Sequence, residues 1–138
     1  MTNRLLLDTC AVIWIAGKQP MSARSREEID AALAQKRVVA VSVITAWELG
    51  LLSRKGRLPS ARPPSALFAS FVGAPGIALE QLTAELLIDS SFLPGDLHGD
   101  PADRIIIATA RALDFTVVTR DRHILRYAEA GHVRALPC

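Results

Sequence analysis

Only two of the 138 residues are cysteines, Cys10 and Cys138. That is too few for a disulfide framework or a zinc cluster. Cys138 is the last residue and is expected to be mobile, while Cys10 lies in an apolar segment and reads as a small buried hydrophobe. Such thiol usage fits a reducing cytoplasm. No apolar run approaches the roughly 20 residues needed to cross a bilayer. Arg4 precedes just three leucines before Asp8 interrupts, too short an apolar stretch for an export signal. The expectation is therefore a cytoplasmic protein that makes no use of a membrane. Repeats and low-complexity tracts are absent. The histidines His98, His123 and His132 have no metal-ligand spacing, although His98 lies in the loop before Asp100. A large excess of one charge is missing too, since 16 basic residues face 14 acidic ones, for a net charge of +2.

What is present begins with hydrophobic content. Half the residues are hydrophobic, which excludes a disordered chain and supports one domain over residues 1–138. Four acidic residues interrupt the apolar segments. Asp8 follows Leu5-Leu6-Leu7, Glu48 follows Ile44-Thr45-Ala46-Trp47, Asp103 precedes Ile105-Ile106-Ile107, and Asp121 follows Val117-Val118-Thr119. A carboxylate beside a buried run is costly to desolvate unless it is paired or binds a metal. Four that converge would repel one another without a cation. Hard oxygen ligands of this kind favour Mg²⁺ or Mn²⁺. With those four acids set aside, 16 basic residues face ten acidic ones. A basic surface around an acidic pocket suits a phosphate-bearing polymer. Composition by itself favours the plainer reading, a solvated surface of mixed charge.

The element pattern alternates. A buried strand is expected over 4–7, a short helix over 10–16 and an amphipathic helix over 22–36, where Ser25 and Glu28 have capping-box spacing and Ser22 is an earlier possible cap. A strand over 37–41 leads to Ser42, a possible cap for a helix over 43–54, with Gly56 as terminator. The proline-rich stretch 58–64 is a loop, followed by a brief helix over 65–72, a strand over 77–79 and a helix over 83–90. After irregular residues 93–101 comes a helix over 102–113, apolar nearly all round and so expected to be buried. A β-branched strand over 115–119, a helix from the Asp121 cap through 130 and an edge strand over 132–136 complete the chain. This is the pattern of an α/β domain on a mostly parallel sheet. In such sheets ligands bind beyond the carboxyl ends of the strands, where Asp8 and Asp121 fall.

Each acid has a plainer explanation. Asp8 and Asp121 can cap the helices that follow them, and Asp100 and Asp103 suit the start of a helix that has Pro101 at its first position. Glu48 is too deep in its helix to be a cap, and Arg54 and Lys55 lie too far along for a one-turn ion pair, so its plainer explanation is a solvent-facing place on the helix's polar side. Arg104 and Arg120, each beside one of the acids, are the better candidates among the basic residues for phosphate contact. Thr119 and Thr9 can hydrogen-bond a carboxylate or a metal-bound water, though capping explains Thr9 as well.

Four segments together resemble the PIN domain, and closely the VapC-type ribonuclease toxins. They are Leu5-Leu6-Leu7-Asp8-Thr9, Val41 through Glu48, His98-Gly99-Asp100-Pro101-Ala102-Asp103-Arg104, and Val117-Val118-Thr119-Arg120-Asp121. The resemblance implies a three-layer α/β/α sandwich and Mg²⁺- or Mn²⁺-dependent cleavage of RNA phosphodiesters, with transfer or ribosomal RNA loops as usual targets. It implies an acidic quartet of Asp8, Glu48, Asp103 and Asp121. Asp8 and Asp103 would be the principal metal ligands, and Glu48 and Asp121 would bind a second ion or orient water. Thr9, Arg104, Thr119 and Arg120 would then be the substrate-binding residues. A VapB-type antitoxin and a homodimer are implied as well. Cys10 stands where related chains often carry serine, asparagine or histidine, and Ala102 replaces a common aromatic.

Two other classes are weighed. A haloacid-dehalogenase-type phosphotransferase also starts with an apolar strand ending in aspartate, but needs a second aspartate two residues on, where this chain has Cys10. A catalytically silent PIN-like module would bind RNA or protein without cutting, and such chains typically lose acids that are all present here.

Overall fold

The computed structural model describes residues 4–97 and 99–138, so His98 lies outside the described residues. The elements run β1 (Arg4–Leu7), α1 (Thr9–Ala16), α2 (Ala23–Ala34), β2 (Val39–Ser42), α3 (Ile44–Arg54), α4 (Pro64–Val72), β3 (Ile77–Glu80), α5 (Ala84–Asp89), α6 (Pro101–Leu113), β4 (Phe115–Thr119), α7 (Arg122–Glu129) and β5 (Arg134–Pro137). The five strands form one sheet in the order β3-β2-β1-β4-β5, and every pairing is parallel.

The run of three leucines explains the layers. Side chains alternate across a strand. Leu5 and Leu7 join Val12, Ile29, Val39 and Val41 in one buried cluster, with Leu33 of α2 and Phe68 of α4 packed against it. Leu6 points the other way and joins Ile106, Ile107, Phe115 and Ile124. Helices therefore cover both faces of β1, giving the three-layer α/β/α arrangement. A strand covered on both sides needs no polar alternation, and Leu5, Leu6 and Leu7 are all buried.

Several boundaries differ from the sequence expectation for identifiable reasons. Ser22, not Ser25, caps α2: its hydroxyl accepts from the Ser25 N–H at 3.1 Å, while Ser25 itself is buried. The following strand starts at Val39 because residues 36 and 37 close α2. Lys36 takes a left-handed φ of 56°, and the Arg37 N–H donates back to the Ala32 carbonyl at 2.8 Å. Helix α6 is fully buried over residues 106–110, but Arg111 and Ala112 are exposed, so it is not covered all round. The Cys138 N–H donates to the Thr119 carbonyl at 3.0 Å and the residue packs against the first cluster, so the described terminus is tied to β4 rather than loose. Among the described residues no helix is long and apolar enough to cross a membrane.

The strand order sets the site. From β1 the chain builds outward through β2 to β3, then returns to the other side of β1 for β4 and β5. The direction of winding reverses between β1 and β4. At such a switch point the connections leave in opposite directions and a crevice opens beyond the strand ends. Leu6 lies beneath this point and is fully buried. Replacing it with alanine is expected to cost ~2–5 kcal/mol of stability, read as a lower urea midpoint with an unchanged slope. A loss below about 1 kcal/mol would contradict a tightly packed second cluster.

Candidate active site

Asp8 is the first residue beyond β1, at the switch point. Its N–H donates to the Val118 carbonyl at 3.1 Å, continuing the pairing with β4. Its side chain is only 3% exposed. Oδ1 accepts from the Ala11 N–H at 2.8 Å, so Asp8 does cap α1. Oδ2 accepts a hydrogen bond from the Thr119 hydroxyl. Capping does not exhaust the group, since an ionised carboxylate has about four lone-pair positions and the Ala11, Thr119 and Cys10 contacts leave one open. The same Thr119 oxygen accepts from the Asp121 N–H at 2.9 Å, linking the second acid to the first. Asp121 caps α7 through Oδ1, which accepts from the His123 and Ile124 N–H groups at 2.8 and 3.0 Å.

Glu48 enters from α3. The Thr9 hydroxyl donates to its Oε1, and Thr9 lies 3.0 Å from the hydroxyl of Thr45. With Glu48 ionised, Thr9 has given its one proton away, so Thr45 must supply the proton of the second bond. Thr45 and Glu48 are three apart on one helix face, and Thr9 and Thr45 are both buried. Asp103 lies in the first turn of α6. That helix is capped by Asp100, whose Oδ1 accepts from the Ala102 and Asp103 N–H groups at 3.0 and 3.3 Å.

Protonation behaviour shows that these groups share one environment. Burial, opposed by the Thr119 and Ala11 hydrogen bonds, raises the Asp8 carboxyl to about 6, with the charge of Asp121 adding to the rise. Burial raises Glu48 to about 7, reinforced by Asp100, Asp8 and Asp121. Asp103 reaches about 8, through burial and then the charges of Asp100, Asp121, Glu48 and Asp8. All four expected acids therefore interact electrostatically. Asp100 joins them, although in sequence it reads only as a cap. Its spacing of three from Asp103 was the available signal.

The expected substrate-binding residues divide into two kinds. Thr9 and Thr119 are buried, and their hydroxyls are engaged with Glu48 and Asp8, so their first role is to orient carboxylates. Arg104 donates from Nε to the Ser90 carbonyl at 2.8 Å and from Nη1 to the Leu97 carbonyl at 3.1 Å, which ties down the segment leading to α6. Arg120 is exposed, with its guanidinium 4.0 Å from the centre of the Trp14 ring. Cys10 is exposed, contrary to the expectation of a buried hydrophobe. It occupies the second position of α1, next to the Thr9 that holds Glu48. Even so, desolvation and then the charges of Asp8, Asp121, Glu48 and Asp103 push its thiol up to about 12, which keeps it neutral.

A model of the PIN domain matches residues 5–130. The chain belongs to the PIN-domain family. It is 31% identical over 124 residues to Ribonuclease VapC22 of Mycobacterium tuberculosis, spanning 90% of this chain and 91% of that one. In fold it is similar to VapBC2 from Rickettsia felis, solved bound to a DNA fragment from their promoter, with a TM-score of 0.68 and 19% identity over 96% of this chain and 97% of that one. It is also similar to VapC20 of Mycobacterium tuberculosis, a sarcin-ricin loop cleaving toxin, with a TM-score of 0.58 and 22% identity over 94% and 96%.

Among the described residues of this PIN domain, no group of three or more His, Cys, Asp or Glu side chains forms a ready-made ion cage. Magnesium does not require one. It commonly keeps several waters and takes one or two carboxylates together with substrate phosphate oxygens. The donor set is all oxygen, and its crowded charge is what a hard divalent cation would relieve, so the residues fit such an ion. The raised pKa values have a consequence for stability. These carboxyls bind protons more tightly folded than unfolded, so their contribution is full below about pH 4 and is lost as pH rises through about 6, 7 and 8. Mg²⁺ should therefore raise the melting temperature of the chelator-treated protein more at pH 8 than at pH 5.5. Equal shifts at the two pH values in a thermal melt would contradict a carboxylate site.

Proposed function

We propose that this chain is a metal-dependent endoribonuclease, the toxin of a toxin–antitoxin pair, with residues 1–138 acting as one nuclease domain. The observation that carries the reading is a group of mutually repelling carboxylates, half-buried Glu48, Asp103 and Asp121 around buried Asp8, at the switch point of the sheet. Likeness to a protein named as a ribonuclease supports it. Asp8 and Asp103 are the principal holders of Mg²⁺ or Mn²⁺, while Glu48 and Asp121 serve a second ion or orient water. When bound, such an ion makes a water acidic enough to supply hydroxide near neutral pH and offsets charge building on the phosphate.

The chain's own residues do the rest. Thr119 holds the Asp8 carboxylate in one orientation and keeps Asp121 beside it. Thr9, itself supplied by Thr45, fixes Glu48 Oε1. Glu48 takes the attacking water's proton at Oε2, and burial poises it for that near pH 7. Attack is in line at phosphorus. The P–O bond to the 3′ oxygen breaks, and that oxygen gains a proton, leaving a 5′-phosphate and a 3′-hydroxyl. Arg120 holds a flanking phosphate over Trp14, which makes RNA binding salt-sensitive. The substrate is an exposed loop of a transfer or ribosomal RNA, because unpaired bases can be splayed out for reading. A VapB-type antitoxin covers the acidic groove in the cytoplasm, and the active species is a homodimer.

Incubating total RNA with the protein in Mg²⁺, in EDTA, and with Asp8→Asn tests this. Cleavage is expected only in the first, with the variant slower by roughly a hundredfold or more, as befits losing several kcal/mol of metal assistance. Equal RNA loss in all three would end the nuclease reading and favour a silent RNA- or protein-binding module.

A further inference from the structure

A cleft of about 360 Å³ opens beside Glu48, between the end of α3 and the start of α6. That is within the range of roughly 300–1,000 Å³ that holds small ligands. The roomier cleft of about 560 Å³, lined by Arg24, Glu28 and Arg134 among others, contains none of the four acids. The smaller one mixes charged and apolar surface. Its lining follows α3 from Trp47 and Glu48 through Leu51 to Lys55 and Arg57, so charge grades from acidic to basic along the helix, and Asp100, Pro101 and Ala102 of the α6 start line it too.

Two features show that the cleft is shaped rather than incidental. Trp47 is 52% exposed, so about half of a large planar aromatic surface is open to a ligand. The two cations are brought in by a defined turn. The Gly56 N–H donates to the Ser53 carbonyl at 3.0 Å and the Arg57 N–H to the Leu52 carbonyl at 2.8 Å. This is a Schellman closure, and it needs the left-handed φ of 69° at Gly56. The turn folds Arg57 back so that it lines the same cleft as Lys55. Glu48 and Lys55 are seven residues apart, about two turns and roughly 10 Å along one helix face.

Resting on the nuclease reading above, we propose that this cleft is a nucleotide subsite. It takes the base of one unpaired RNA nucleotide on the Trp47 indole, with that nucleotide's phosphate on Lys55 and Arg57, next to the bond being cut. A planar apolar body with an anion at the end away from the acids matches the grading. A basic peptide side chain would favour Glu48 and Asp100 but meet repulsion from Lys55 and Arg57, so RNA fits better than a partner protein.

The experiment uses the full chain carrying Asp8→Asn, so that binding is read without turnover. The probes are a fluorescein-labelled single-stranded RNA of mixed sequence and the same strand annealed to its complement. Adding Trp47→Ala should weaken single-strand binding about tenfold, the scale of one lost base–aromatic stack, and leave duplex binding unchanged. Trp47→Phe should restore most of the affinity. Lys55→Gln with Arg57→Gln should flatten the salt dependence by roughly one to two log units per log unit of salt. Unchanged single-strand affinity in Trp47→Ala overturns the subsite, as does equal weakening for single strand and duplex. So does loss of a co-expressed antitoxin with RNA binding intact, which would assign the cleft to protein. Cleavage of total RNA by the unaltered chain is scored separately. Trp47-dependent binding without cleavage supports the subsite and ends the nuclease reading. Cleavage together with Trp47-independent binding ends the subsite alone.

Discussion

The cost of burying Asp8 organises this molecule. A carboxylate 3% exposed at the end of a central strand must have its oxygens satisfied or lose its charge. One oxygen is answered locally, by the Ala11 N–H within the next helix. The other is answered by Thr119, which is 111 residues away and reaches Asp8 because β1 and β4 pair in parallel. The bond that holds Asp8 is thus also a bond between the two halves of the sheet. Thr119 in turn accepts from Asp121, so aligning the strands aligns two acids at once.

A second polar chain works the same way in another layer. Thr9 of α1 and Thr45 of α3 are buried hydroxyls whose bonding ends on Glu48. Both networks hold carboxylates where burial works against their charge. Acids raised to about 6, 7 and 8 weaken the folded state wherever they are ionised. The buried clusters on both sheet faces offset this. Such a compromise is common where a site requires groups that a core would otherwise exclude.

Most elements were legible because local physics chose them. The three leucines could only be a strand covered on both faces, and Phe115 to Thr119 carried the β-branched signature of another. Asp8, Asp100 and Asp121 are caps that the sequence displays openly, while Ser22 had to be told apart from Ser25 and Thr83 reads as the first helical residue rather than the cap it is. Less legible were features that depend on what sits opposite. Cys10 has apolar neighbours in sequence, yet it is exposed and feels the charges of the acids rather than packing in the core. Arg104 stands beside an acid and reads as a phosphate contact, but the carbonyls of Ser90 and Leu97 receive it. Asp100 looked like a cap and is one, and only proximity across α3 and α6 reveals that it also charges the pocket.

The amino-acid order by itself determined an α/β protein with carboxylates at the ends of buried segments, because hydrophobic periodicity and capping act over a few residues. Tertiary structure decided which of those carboxylates meet, which hydroxyls steady them and which arginines are spoken for. Those outcomes depend on strand order and on pairs separated by as many as 111 residues, as Asp8 and Thr119 are, and short-range propensity carries no information about which groups tertiary packing brings together.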